Sequence, residues 1–392
     1  MAIIDILLAN YNRLKSNPLH LSLRSLQLHS PMAKKTKIGI IGVGNCASSL
    51  IQGLTYYKNV KDQEKVVGLM HTVLGGYKIS DIEVVTAFDV NKTKVGKDLA
   101  EAIYAQPNNT TVFAKVKKMG VKVINAKVLD GIGYFLEDKI SISKTSIPDP
   151  VQILKTTGCE ILISYLPVGS QKATQYWADV CLQAKVGFIN CVPVFIASDK
   201  TWAKKFEDAK VPIIGDDIKS QVGATIMHRT LANLFMDRGM PVDHTYQLNV
   251  GGNTDFLNML ERSRLTSKKI SKTRSVTSQF ELRDLNIAPD DVHIGPSDFV
   301  PWLKDNKLAF IRIESRHFGD IPMNVEIRLS VEDSPNSAGV VIDAIRCLKL
   351  ALDNKIGGAL FEPSSYFMKS PPQQFTDTEA KTNVEEFIRK NS

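Results

Sequence analysis

The chain has 392 residues, 43% of them hydrophobic and 23% charged, enough to bury a sizeable core in more than one domain. Its formal charge of +8 is a weak sign of a nucleic-acid partner, because residues 1–36 hold Arg13, Lys15, Arg24, Lys34 and Lys35 against Asp5 alone and so supply half of it. No apolar run reaches the ~18 residues a membrane span needs, and five scattered cysteines without C-x-x-C spacing indicate neither a disulfide framework nor a zinc site, so a protein of the reducing cytoplasm is expected.

Residues 1–36 are rich in Leu, Ser and His, and Met32 then opens "MAKKTKIGIIGVG", which reads as a natural start. The segment is either a basic, acid-poor targeting peptide or upstream sequence read from an early start codon, and it is left out of the fold. Beyond it, "KIGIIGVGNCASSLIQGL" joins an apolar strand, Ile38 to Ile41, to a helix beginning near Ala47, across Gly42-x-Gly44-x-x-Ala47. Gly42 serves a tight turn, Gly44 lets backbone approach a pyrophosphate, and Ala47 is small enough for close helix–strand packing. The pyrophosphate of a dinucleotide would meet the helix N-terminus. A second strand, "IEVVTAFDVN", ends in Asp89, the acid expected to hold an adenosine ribose, although a turn or helix-cap role also fits. Asp89 lies 45 residues beyond Gly44, where about 20 is usual. Residues 56–80 must therefore hold an insertion, and Gly68, Gly75 and Gly76 mark it.

"CEILISYLPVGS" and "VGFINCVPVF" add strands at 161–163 and 186–189, each followed by helical sequence. This alternation predicts a doubly wound parallel sheet. Ser164, Leu166, Gly169, Asn190 and Pro193 then fall at strand carboxyl ends, where such sheets bind ligands, unless they are only turn residues. "VPIIGDDIKSQVGATIMHR" carries Asp216, Asp217, Lys219, Ser220, Gly223 and Thr225 into a helix, where hydroxyls and free N–H groups can cradle a phosphate. The two acids are either a solvated loop or partners of an active-site lysine. The alternating "TYQLNVGG" reads as a strand leaving this domain.

"SKKISKTRS" then places Lys268, Lys269, Lys272 and Arg274 together without an acid, as a solvated face or an anion site. No aromatic residue interleaves the run, which speaks against single-stranded nucleic acid. Alternating stretches at 309–314 and 324–331 around Gly319-Asp320 predict an antiparallel sheet with the lysine run in a helix over it. Near the end, Pro371 and Pro372 hold Lys369 in a turn. The Trp and His residues show no metal or triad spacing.

Read in order, "GVGNCASSL", "GLMH", "AFDV", "LDGIG", "SYLPVGS", "PVFIASD", "GDDIKSQVGAT", "LNVGGN", "DFLNMLE", "SKKISKT", "DVHIGPSD", "DSPNSAG" and "MKSPP" resemble the bacterial branch of the myo-inositol-1-phosphate (inositol-3-phosphate) synthase family over residues 38 to 372. The resemblance implies an α/β fold: a Rossmann-like doubly wound parallel sheet, residues 37–248, with an inserted α+β catalytic and oligomerisation domain, 249–333. A C-terminal segment, 334–392, would return to the first domain. It implies NAD-dependent isomerisation of glucose 6-phosphate to inositol 3-phosphate in a cytoplasmic homotetramer, through oxidation, enolisation, aldol closure and reduction. Lys268, Lys272 and Lys369 correspond to catalytic lysines acting as electrostatic groups, with Asp216, Asp217 and Asp333 as positioning or proton-relaying acids. Gly42, Gly44, Asn45, Cys46, Ala47, Asp89, Ser164, Leu166, Asn190, Pro193 and Lys219 would hold NAD, and Ser220, Gly223, Ala224 and Thr225 the substrate phosphate. One departure stands out: where the eukaryotic branch has a further lysine after the Gly-Asp turn, this chain has Ile321 and Pro322. Arg312, Arg316 or a divalent or monovalent cation could take its place, and the metal ligands stay open. The rival reading is a conventional NAD(P)-dependent dehydrogenase of an anionic small molecule.

Overall fold

The computed structural model of the chain describes residues 35–62 and 64–392. The expected extension therefore lies outside the described residues apart from Lys35 and Thr36, and Thr36 already opens the first strand.

Strand β1 (Thr36–Ile41) runs into helix α1 (Asn45–Tyr56). The insertion follows as a small hairpin, β2 (Val73–Leu74) and β3 (Tyr77–Lys78), and then β4 (Ile82–Asp89). Next come α2 (Leu99–Ala102), β5 (Val123–Asn125), α3 (Pro150–Thr156), β6 (Ile161–Ser164) and α4 (Gln171–Ala184). The run closes with β7 (Gly187–Asn190), α5 (Lys200–Asp208) and β8 (Pro212–Gly215). With the late β13 (Gly358–Ala359), seven strands form one parallel sheet in the order β13-β8-β7-β6-β1-β4-β5. The central strands ILIS and GFIN are buried at every position, as parallel strands covered on both faces must be. Strand order reverses between β1 and β6, the place where doubly wound sheets open a ligand crevice. Register carries the loops there side by side: Ile41 lies opposite Phe88 and Ser164, Ser164 opposite Asn190, and Asn190 opposite Gly215.

Two apolar layers sandwich the sheet. Trp177, Cys181 and Phe206, from α4 and α5, pack with Leu162 and Phe188 on one face. On the other, Leu50 of α1 packs with Val341, Ile345 and Leu348 of a late helix (Asp333–Asp353) against Ile40, Ile163 and Ile189. The insertion that delays Asp89 is anchored here: the fully buried Arg346 donates to the carbonyls of His71, Thr72 and Tyr77.

Helix α6 (Ala224–Asp237) leads into a second sheet of β9 (Val242–Gly251), β10 (Val292–Phe299), β11 (Asn306–His317) and β12 (Ile321–Glu332), ordered β10-β9-β11-β12. The boundary expected at residue 248 falls inside β9. β9, β11 and β12 pair antiparallel, as anticipated, but β10 lies parallel to β9, so the sheet is mixed. The reason is the connection: α7 (Thr254–Asn258) and α8 (Thr266–Glu281) lie between β9 and β10, and a helical crossover returns a strand in the same direction. "VHIGPSDF" was not recognisable as a strand because of Pro296, which an edge strand with a local register shift tolerates. Ala232, Val276, Phe280 and Ile294 pack α6 and α8 onto this sheet. β12 runs directly into α9 (Asp333–Asp353), and after it α10 (Phe361–Phe367) and α11 (Asp377–Asn391) return to the first sheet.

Candidate active site

A single continuous cavity runs from the β1–α1 turn to the facing edge of the second sheet. At its first end Gly42 has φ +85°, and a Cβ there would lie 2.6 Å from the Tyr165 carbonyl oxygen. Only glycine fits that turn. Gly44 caps α1 with no side-chain hydrogen bond, nothing within 4 Å would meet a Cβ on it, and the first turn holds no acid. Free N–H groups beside open space are what a pyrophosphate needs, so these residues fit a dinucleotide. The Asp89 carboxylate accepts from the Val43 N–H at 2.8 Å and from those of Val90 and Asn91 at 2.7 and 2.8 Å, tying β4 to the glycine loop. Lys94, which the sequence reading passed over, also lines the cavity; its ammonium donates to the Val43 carbonyl and to Asn108 Oδ1, both at 2.8 Å, and burial lowers its pKa.

Of the residues expected to hold NAD, Gly42, Gly44, Asn45, Cys46, Asp89, Leu166 and Pro193 line the cavity. Burial first, then Asp305 and Asp333, push the Cys46 thiol up to about 12, so it is no nucleophile at neutral pH. Ala47, Ser164 and Asn190 are fully buried behind this lining, Ala47 within the apolar layer. Lys219 corrects the expectation: its ammonium does not line the cavity, donates to the Ser365 carbonyl at 2.9 Å and lies 3.6 Å from Asp377, both in the C-terminal segment. Burial, with the neighbouring Arg229, pulls its pKa down to about 7.

The paired acids divide. Asp216 accepts from Asn190, from the N–H groups of Ile196, Ala197 and Ser198, and from the Ser198 hydroxyl, at 2.7 to 3.2 Å. It organises a loop and does not line the cavity. Burial lifts its pKa to about 6 against the pull of those donors. Asp217 does face the cavity. Its Oδ1 accepts from Lys369 Nζ at 3.0 Å and its Oδ2 from the Ser271 hydroxyl at 2.6 Å. Burial alone would raise it, but Lys369, Lys268 and Ser271 together hold it below the usual carboxylate range. Lys369 is fixed as its two prolines suggested: its backbone N–H donates to the Asp217 carbonyl and its ammonium also reaches the Ile218 carbonyl at 2.8 Å.

Lys268 and Lys272 stand one turn apart on α8, both buried and both in the cavity lining. Lys269 and Arg274 are not part of it. Lys307 of β11 joins them, paired with Asp333 at the start of α9. This lysine was missed, since nothing in "DNKLAF" marks it; only the register of β11 beside β12 brings it to Asp333. It enters the cavity from the opposite end of the β11–β12 hairpin to the Gly319-Asp320 turn. Arg312 and Arg316 do not enter it: Arg312 pairs with Glu314 and Glu326, and Arg316 with Asp243 and Asp320, on the far side of the sheet.

The four cations are unequal. Lys369 has Asp217, Lys307 has Asp333, and Lys268 lies 3.7 Å from Asp255. Burial lowers Lys268, but Asp255, Asp217 and Asp333 outweigh it and raise the pKa above the ordinary ammonium value. Lys272 makes no ion pair among the described residues; burial, then Lys268, Lys369 and Lys307, hold its pKa well below the ordinary value. Close by, Gly223 caps α6 without a side-chain hydrogen bond, and a Cβ on it would lie 3.0 Å from Ser220 Cβ. Ser220, Gly223, Ala224 and Thr225 all line the same cavity, as do Gln247 and Asn249 of β9, which the sequence did not single out. Among the described residues no three His, Cys, Asp or Glu side chains converge as a metal's ligands.

Relatives give this geometry a family. Inositol-3-phosphate synthase of Mycolicibacterium smegmatis is 54% identical over 360 residues, covering 92% of this chain and 99% of its own. The chain belongs to the inositol-3-phosphate synthase family. The Mycobacterium tuberculosis enzyme of that name is 55% identical over 354 residues, 90% of this chain and 96% of its own. Residues 223–334, from the α6 cap through the lysines of α8 to Asp333, match the family described as Myo-inositol-1-phosphate synthase. The fold is that of a myo-inositol-1-phosphate synthase-related protein from Thermotoga maritima, with a TM-score of 0.73 at 21% identity over 91% of this chain and 98% of that one.

Proposed function

We propose that the protein converts D-glucose 6-phosphate to 1D-myo-inositol 3-phosphate, the first step of inositol biosynthesis, with NAD as a cofactor restored in every turnover. The observation that carries this is the meeting, in one cavity, of a dinucleotide loop with four lysines, two buried and two half-buried, of which Lys272 lacks a carboxylate. A hydride transfer alone needs one acid or base. Four cations suit a reaction whose oxygens become negative repeatedly.

NAD supplies reversible oxidation of a secondary alcohol. Gly42, Gly44 and the α1 N-terminus would hold its pyrophosphate, with Asp89 and Leu166 beside it. Ser220, Gly223, Ala224 and Thr225 would hold the substrate phosphate at the α6 N-terminus. Once the sugar carries a ketone, the neighbouring C–H becomes acidic. Lys272, with its depressed pKa, takes up its proton when the phosphate binds and joins the other ammonium groups as a fourth cation. The enolate and the alkoxide of ring closure then develop beside Lys268, Lys307 and Lys369, whose ammonium groups stabilise them far better than water can. Asp217 and Asp333 keep Lys369 and Lys307 in place while this happens.

Five free cysteines suit the reducing cytoplasm, and no described helix is long and apolar enough to cross a membrane. A homotetramer is supported by the apolar tip between β11 and β12, where Phe318 is 96% and Ile321 54% exposed. The deciding experiment is a phosphorus NMR time course with glucose 6-phosphate and substoichiometric NAD+, read beside NADH absorbance. A new inositol phosphate resonance without NADH build-up is expected. NADH rising in step with product would overturn the reading in favour of a dehydrogenase.

A further inference from the structure

One wall of the cavity is built from two distant parts of the chain. Gly131, Ile132 and Val168 come from loops of the first sheet, and Phe256 and Met259 from the α7 region. Behind that wall the two parts are bolted together. The Val168 carbonyl accepts from Asn258 Nδ2 at 2.8 Å and from Arg264 Nε and Nη2 at 3.3 and 3.1 Å. Arg264 Nη2 also donates to the Asp130 carbonyl at 2.6 Å, and Glu261 accepts the Tyr134 N–H at 2.8 Å. Val168, Phe256, Met259 and Leu265 share a small apolar cluster of their own.

The approach is close, and glycines stand on the receiving side. A Cβ on Gly133 would lie 2.5 Å from Asn258 Oδ1 and 2.6 Å from Glu261 Oε2, and one on Gly169 only 2.8 Å from Arg264 Cβ. The Asp130 carboxylate in turn accepts the N–H groups of Lys172 and Ala173 at the start of α4, so the latch is tied to the rigid frame. None of these contacts involves a cavity lysine, yet Arg264 stands four positions before Lys268 and in the turn that feeds α8.

We propose that Arg264, helped by Asn258 and Glu261, is a positioning residue that latches this wall and retains the dinucleotide through each turnover. The proposal rests on NAD being the cofactor. A cofactor that must return what it took from the same substrate molecule cannot be exchanged midway, and a wall made of two segments lets it pass only when they part.

The test uses the full-length protein loaded with NADH and chased with excess NAD+, following the loss of bound NADH fluorescence. Arg264→Ala should release NADH at least about tenfold faster than the wild type, since three donor contacts are lost. Arg264→Lys should fall between, because an ammonium cannot span both carbonyls as the guanidinium fork does. Gly133→Ala wedges the same seam from the other side and should also speed release; if Arg264→Ala does not fold, this variant decides. With glucose 6-phosphate present, either fast-releasing variant should leak free NADH where the wild type does not. Release as slow as wild type in Arg264→Ala and Gly133→Ala overturns the latch. A wild type that binds no NADH overturns the cofactor reading itself, and the latch with it.

Discussion

Replacing Asp217 by Asn tests the charge logic of the cavity. The carboxylate is 2% exposed and accepts from Lys369 Nζ and Ser271 Oγ. Hydrogen bonds involving a charged group contribute about 1.5–3 kcal/mol each, so the two together give roughly 3–6 kcal/mol. Asparagine keeps the shape: its oxygen can still face Lys369, and its amide can donate to the Ser271 hydroxyl, which both donates and accepts. What is lost is the charge assistance, about half the strength, or roughly 1.5–3 kcal/mol in urea unfolding. The larger effect falls on Lys369. Burial, with Lys268 and Lys307, already lowers its pKa, and Asp217 is the carboxylate opposing them. Without that charge the pKa drops further, less ammonium is present at neutral pH, and turnover should fall about 10²–10³-fold, as when one oxyanion stabiliser is removed. Because lower pH restores the ammonium, the alkaline limb of kcat should move toward acid. Initial rates of inositol phosphate formation between about pH 6 and 9 read both effects. A kcat within about threefold of wild type with an unmoved alkaline limb would refute the pairing as a functional one.

Lys272→Met should abolish turnover while leaving the melting temperature unchanged or higher, since it removes a buried cation with no ion-pair partner; a clear drop in stability would show that the ammonium has a structural partner. Binding of glucose 6-phosphate should take up protons, because the phosphate raises the depressed pKa of Lys272. Calorimetry in buffers of different ionisation heat measures this, and heats that do not vary with buffer would count against it. Asp216→Ala should yield insoluble protein or lose several kcal/mol, because the buried N–H groups of Ile196 and Ala197 lose their acceptor at about 1–3 kcal/mol each, and the half-buried Ser198 loses its own as well. Borohydride added during turnover should leave no substrate adduct on Lys268, Lys272 or Lys369, as purely electrostatic roles require; a mass increase on any of them would assign a Schiff base instead.

The first sheet was legible because its signals are local. An apolar run, a glycine turn and a helix-forming stretch within twenty residues leave little choice of structure, and the same grammar recurs at β4, β6 and β7. Asp216 and Asp217 show where local signals stop. They are adjacent and chemically identical, yet one organises a loop and the other faces the cavity, and the difference lies in Asn190, Ser198, Ser271 and Lys369, which arrive from elsewhere in the chain. Lys307 is harder still. A single lysine at the start of a strand looks like any solvated residue, and its place beside Asp333 follows only from the pairing of β11 with β12 and the turn of β12 into α9. Lys219 misled in the opposite sense, because a lysine between the paired acids and the phosphate loop looks placed for a ligand. Its side chain leaves on the other face, towards Ser365 and Asp377.

The distribution of the four cavity lysines over the chain has a consequence for when the site exists at all. Lys268 and Lys272 come from α8, Lys307 from β11, and Lys369 from the segment after α10. Each is held by its own anchor: α8 through Ser271, which meets both Asp217 and the Ser370 hydroxyl, β11 through the Asp333 pair, and the last segment through backbone bonds of Lys369 and Ser370 to Asp217 and Asp216. Like charges brought this close repel, and three aspartates offset three of them. The fourth is left over, and a buried ammonium without a partner favours its neutral form. The four lysines therefore repel one another more than their aspartates offset, and a phosphate dianion relieves that repulsion. Binding energy from a group that does not react would then restore the charge on Lys272 beside the atoms that do, which is how affinity for the phosphate can be converted into stabilisation of the developing oxyanions.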